Sequence, residues 1–159
     1  LVELVVGPSL TPLHVMLISM GNPHAVQFCD ETLDYDRLVA LATRLGPHVE
    51  TDQRFAHRTN AEFVVNRPQP FPRLDVVVWE RGCGITQACG TGACAAVVAA
   101  CRRGLIPLGA ACTVRLPGGT LVVTVASDFS SVRMRGPAET VFCGEIATSS
   151  IMAVDGATQ

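Results

Sequence analysis

The segment Ala88-Cys89-Gly90-Thr91-Gly92 carries the clearest chemistry in this chain. It closes a loop that opens at Gly82 and contains four glycines, and an almost wholly apolar run follows it. Glycines there let backbone come close to a ligand. The free N–H groups at the start of the helix that the run predicts form an anion site. A thiol at that terminus has its thiolate favoured by the helix dipole. Cys89 is therefore placed as a nucleophile or a base, expected to be the most reactive thiol, with a substrate carboxylate nearby. A buried structural cysteine beside a tight turn would carry the same pattern.

The elements that position this loop are legible around it. Strands are predicted over 1–6, 14–20 and 25–29, with turns at Gly7-Pro8 and Gly21-Asn22-Pro23. Leu38, Leu41, Ala42 and Leu45 share a helical face, which predicts a helix over 36–45 capped by Asp34 and stopped by Gly46-Pro47. Residues 47–58 read as irregular, and 60–66 and 73–80 as two strands. Ala, Val and Cys on every side of 93–103 predict a helix buried all round, ending at Gly104. Strands over 112–116, 120–126, 132–135 and 140–146 complete the pattern, and 147–159 is expected to be a flexible tail. This order is not regular βαβα alternation. The expected fold is α+β, a curved, mostly antiparallel sheet wrapped around the buried helix.

Composition narrows the function classes. The chain has 159 residues, 48% of them hydrophobic, which is enough for one domain with a real core. A net charge of −2 without a clustered basic face argues against nucleic acid as a partner. All twelve cations are arginine, so the chain offers neither a Schiff-base lysine nor a P-loop lysine. The longest apolar run, 93–101, is too short to span a bilayer. Seven cysteines without scaffold spacing favour a reducing, cytoplasmic setting. Cys83, Cys89 and Cys94 match no zinc spacing, so no metal is expected. A chain beginning at Leu1 is expected to be processed or part of a longer protein.

Gly21-Asn22-Pro23-His24, Arg58-Thr59-Asn60, Glu80-Arg81-Gly82 and Ala88-Cys89-Gly90-Thr91-Gly92-Ala93 occur in that order, followed by Gly136-Pro137-Ala138 and Gly144-Glu145-Ile146. Together they resemble the C-terminal half of the diaminopimelate epimerases, over about 15–146. The resemblance implies a two-lobe, cofactor-independent enzyme of lysine and peptidoglycan precursor synthesis. One cysteine from each lobe would act on opposite faces of the substrate Cα. Residues 1–146 would be the C-terminal lobe, and a missing N-terminal lobe would carry the second cysteine. Cys89 would be one of the two bases. Gly90 and Thr91 would bind substrate through backbone N–H groups, and Asn22 and Asn60 would hold its distal end. Glu80 and Arg81 would contact it too, and His24 and Glu80 would tune the cysteine pKa values. No cofactor is implied. The alternatives are a racemase of the same fold acting on another amino acid, and a non-catalytic assembly lobe. A homodimer that sets two Cys89 thiols face to face is a further arrangement. His14, His48 and His57 are read as structural or solvated, and Ile85 departs from an acidic residue that the family often carries.

Overall fold

The computed structural model describes residues 2–6, 11–68 and 70–148. Among these residues nine strands and two helices run in the order β1 (Val2–Val6), β2 (Thr11–Ser19), β3 (Pro23–Phe28), α1 (Tyr35–Glu50), β4 (Asn60–Arg67), β5 (Arg73–Glu80), β6 (Gly84–Ile85), α2 (Gly90–Arg102), β7 (Cys112–Leu116), β8 (Gly119–Val125) and β9 (Val132–Arg135). All strands join one sheet, ordered β1-β2-β3-β4-β5-β7-β8-β9, with β6 paired to β5. Two pairings are parallel, β3 with β4 and β5 with β7, and the others are antiparallel. Each parallel pair is bridged by a helix, as such a connection requires. The expected α+β fold, a curved sheet around a buried helix, is the one observed.

Side-chain alternation sends the two helices to opposite faces. Ala61, Phe63 and Val65 of β4 and Val77 of β5 pack with Leu38, Ala42, Leu45 and Val49 of α1. The intervening Val64, Val76 and Val78 pack with α2. His24, Glu62 and Glu80 share that second parity, so three ionisable side chains start from the face against which α2 lies. The sheet curls around α2 until β2 and residues 129–132 line opposite sides of an open cleft of about 570 Å³.

α2 is buried because it is made of small residues. Ala93, Ala95, Ala96, Val97, Ala99 and Ala100 are fully inaccessible. Short side chains let strands approach the helix axis from several directions. It begins at Gly90 with Cys89 as N-cap, so Cys89 stands at the helix N-terminus as expected.

Two expectations are corrected. Gly46-Pro47 does not stop α1, which continues to Glu50. Gly46 is there for contact rather than termination: a Cβ would lie 2.5 Å from the Trp79 ring. Continuing the helix buries Val49 and brings Glu50 to the Trp79 indole N–H. Asp34 caps the helix as expected, accepting from the Arg37 N–H at 2.9 Å. The predicted strand over 140–146 is absent, and Val141, Phe142 and Ile146 stand 90%, 83% and 70% exposed. Nothing among the described residues pairs with that segment as a strand. The predicted turn at Gly7-Pro8 and the tail beyond residue 148 lie outside the described residues.

Gly46→Ala separates contact from propensity. Propensity alone would gain about 1 kcal/mol from alanine in a helix. The clash with Trp79 reverses the sign, and we expect a net loss of about 1–3 kcal/mol in urea denaturation.

Candidate active site

The site is built from the turn after β2, the N-terminal ends of β3 and β4, the end of β5, and the start of α2. Cys89 is 7% exposed and has an extended backbone, φ −130° and ψ 105°, before the chain turns helical. Its sulfur lies 3.7 Å from the Thr91 hydroxyl oxygen. Thr91 Oγ1 also accepts from Asn22 Nδ2 at 3.3 Å. Asn22 Oδ1 stands 3.0 Å from Nε2 of His24, and Nδ1 of that ring is 2.6 Å from Glu62 Oε1. His24 and Glu62 are both fully buried at the side chain. One continuous chain of polar contacts therefore runs from the β4 interior to the thiol.

Gly92 makes this closeness possible. A Cβ at that position would sit 3.0 Å from Val78, 3.1 Å from Glu62 Oε1 and 3.2 Å from the Cys89 sulfur. Any side chain there would push the carboxyl, the thiol and the strand apart.

The expectation of a lowered thiol pKa is reversed in this chain. Burial pushes the Cys89 thiol up, and the Glu80 and Glu62 carboxyls add to the rise. The Gly92 N–H and the Thr91 hydroxyl pull the other way without overcoming it. Nor is Cys89 the most accessible thiol, because Cys83 and Cys143 are exposed. Cys112, deep against α2, is pushed up to about 12 by burial.

The other predicted residues take different places. Glu80 lines the same hollow as Cys89, Gly90 and Thr91, and accepts from the Thr86 hydroxyl. That hollow, of about 430 Å³, also holds Met20, Cys94 and Met134, and its size is typical of small-molecule sites. Asn60 is 5% exposed, and its amide braces the frame: Nδ2 donates to Pro23 O at 3.0 Å and Oδ1 accepts from Arg81 N at 2.9 Å. The Arg81 guanidinium turns away to donate to His57 O at 2.9 Å. Asn22, His24, Glu80, Cys89, Gly90 and Thr91 thus come together, with Asn60 and Arg81 holding the rim.

Two carboxyls were not anticipated. Glu50 accepts from Trp79 Nε1 at 2.7 Å, from Gly82 N at 2.9 Å and from Arg58 Nη1 at 3.2 Å, pinning the 81–83 turn. Burial pushes its carboxyl up, but these hydrogen bonds outweigh burial and hold it below its ordinary value. Arg58 adopts a left-handed backbone, φ 58°, beside that contact. Glu62 sits in the middle of the apolar strand Ala61-Glu62-Phe63-Val64-Val65. A lone charge at a buried strand position was the readable signal. Burial raises its carboxyl to about 7 although His24 lowers it.

Among the described residues no three His, Cys, Asp or Glu side chains converge as metal ligands, and no helix is long and apolar enough to cross a membrane.

Comparison with known proteins places this geometry. The fold is that of racemase-type proteins. A hydroxyproline epimerase from Agrobacterium vitis, solved with trans-4-hydroxy-L-proline, superposes with a TM-score of 0.53 at 17% identity, over 79% of this chain and 40% of that one. A probable proline racemase from Agrobacterium radiobacter gives 0.57 at 16% identity, over 79% and 41%. The sequence is more specific. The diaminopimelate epimerase family model matches residues 16–141, and the chain belongs to that family. It is 47% identical to the diaminopimelate epimerase of Geobacillus sp. strain WCH70 over 132 residues, 82% of this chain and 43% of that protein. It is 48% identical to that of Laribacter hongkongensis over 134 residues, 84% and 46%. The chain thus spans less than half the length of these curated relatives.

Glu62 gives a stability prediction with a definite sign. Its folded carboxyl is raised from 4.5 to about 7. The folded state therefore binds the proton more tightly, so this contribution is complete below the unfolded pKa and is lost as pH rises through about 7. Urea titrations of Glu62→Gln against wild type should show wild type losing ground across that interval. A constant difference would contradict the assignment.

Proposed function

We propose that this chain is one lobe of a two-lobe diaminopimelate epimerase, with Cys89 as one of two cysteines that move a proton across the substrate Cα. The observation that carries the reading is Cys89 at the N-terminus of a buried helix, in a hollow shared with Glu80, Gly90 and Thr91. Family membership supports the reaction class.

The geometry supports a mechanism of this kind. A Cα–H is a very weak acid, so its removal needs a base held in place and donors aimed at the developing charge. The N–H groups at the start of α2 receive the substrate carboxylate, which the helix dipole favours. They thereby stabilise the charge that spreads into it as the proton leaves. Cys89 as thiolate takes the Cα proton from one face, or as thiol returns one to the intermediate. The opposite face requires a second acid or base, supplied by the other lobe. Burial pushes the Cys89 thiol up in this chain, which suits the donor role at rest. Substrate ammonium and carboxylate groups change that balance when they enter. Glu80 adjusts the thiol from the hollow, and His24 acts on it through Asn22 and Thr91. Asn22 and Asn60 orient the distal end of the substrate, and Arg81 contributes through its backbone. The reaction asks for no cofactor, and the setting is the cytoplasm.

Deuterium incorporation at Cα of diaminopimelate in D2O tests this. The chain alone should exchange negligibly, and exchange should appear when the complementary lobe is added. Cys89→Ser should then lower the rate by at least about 10²-fold, since an alcohol is a far weaker acid than a thiol. Fast exchange by the chain alone would count against the half-site reading and in favour of a homodimeric site.

A further inference from the structure

We infer that Glu62 and His24 hold one proton between them, and that this proton sets the direction of a hydrogen-bond chain running through Asn22 and Thr91 to the Cys89 sulfur. The inference deepens the epimerase reading only in giving Cys89 its chemistry.

The contact of 2.6 Å between Glu62 Oε1 and His24 Nδ1 is fully removed from water on both sides. Among the described residues, Glu62 Oε2 is buried without a hydrogen-bond partner. An ionised carboxylate with one oxygen orphaned in a core is costly, whereas a protonated carboxyl leaves only a neutral carbonyl oxygen there. With the proton on Oε1 it donates to Nδ1, and the neutral ring must then carry its hydrogen on Nε2. Nε2–H donates to Asn22 Oδ1, which turns Asn22 Nδ2 toward Thr91 Oγ1. Thr91 has accepted one bond and keeps its own hydrogen free for the Cys89 sulfur. Every bond in this state points at the sulfur and favours thiolate.

When the pair loses its proton the chain reverses. The bridging hydrogen passes from Glu62 Oε1 to Nδ1, the Nε2 hydrogen is given up to solvent, and Nε2 then presents a lone pair to Asn22. The Asn22 amide flips to donate to Nε2, and its Oδ1 takes the Thr91 hydrogen. Thr91 then offers the sulfur only a lone pair, which favours thiol. The charged and titratable groups facing Glu62 are His24 on β3, Glu80 on β5 and Cys89 at the start of α2. The carboxyl raised to about 7 by burial places the reversal near neutral pH. Glu62 is thus a positioning residue that never needs to touch substrate.

The test uses this chain without substrate, so its outcome is independent of Cα exchange. Alkylation of Cys89 by iodoacetamide, read from its own peptide by mass, is followed from about pH 5 to about pH 9. A lone thiol gains about tenfold in rate per pH unit below its midpoint. Wild type should climb more shallowly, with a break near neutral, because the Thr91 donor is withdrawn as the thiol ionises. Glu62→Gln cannot titrate, so it should lose the break and recover the full slope. A wild-type curve without a break, or a break retained in Glu62→Gln, overturns the inference. If Glu62→Gln does not fold, nitrogen NMR of the His24 ring in wild type decides. The ring hydrogen should sit on Nε2 on the acid side, with Nδ1 accepting, and on Nδ1 on the alkaline side, with Nε2 bare. A proton retained on Nε2 throughout would overturn the inference equally.

Discussion

Everything at this site depends on how closely the first turn of α2 approaches the sheet at Gly92. The Cα of that residue is crowded by a strand side chain, a buried carboxyl and the thiol at once. Were the helix one methyl group further off, the thiol would leave its hydrogen-bonded path and Glu62 would face a void. The small residues along α2 extend the same close approach over its whole length. The scaffold therefore spends little side-chain volume on the helix and places the chemistry at its end.

The constraint has an electrostatic cost. A carboxyl and an imidazole are withdrawn from water together, and a pair so buried is neutralised by proton sharing more readily than by two full charges. The sheet makes the arrangement unavoidable once the residues are chosen. His24 and Glu62 lie on the face of β3 and β4 that α2 covers, in strands whose parallel register is set by the α1 crossover. On the far side, Glu50 does complementary work: its three hydrogen bonds lock Trp79, Gly82 and Arg58, so the turn before the Cys89 loop is held from below.

Much of this was legible in the sequence. The existence of β4 and β5, the apolar face of α1 and the all-round burial of α2 follow from composition and periodicity, since solvent exclusion acts directly on both. The four short motifs brought Asn22, His24, Glu80 and Cys89 to one place because the family resemblance encodes contacts between distant segments. What was not legible depended on a partner elsewhere in the chain. Gly46 reads as a helix stop until Trp79 is seen against it. Strand propensity over 140–146 found no edge to pair with among the described residues. The thiol pKa followed the dipole in the sequence reading. It rises in the structure because burial and two carboxyls act on the same sulfur. Glu62 could be read as a lone charge inside an apolar strand, but its partner His24 lies on another strand and is seen only in the structure.

The most direct test of Cys89 as a reacting group is the stereochemistry of hydrogen exchange. In the proposed mechanism each configuration of diaminopimelate presents its Cα–H to one face, and one cysteine serves each face. With the two lobes together, wild type should exchange Cα hydrogen from both configurations in D2O. Cys89→Ala should abolish proton removal from the configuration whose hydrogen faces this chain and leave some removal from the other. Exchange of both configurations at wild-type rates in Cys89→Ala would contradict the account.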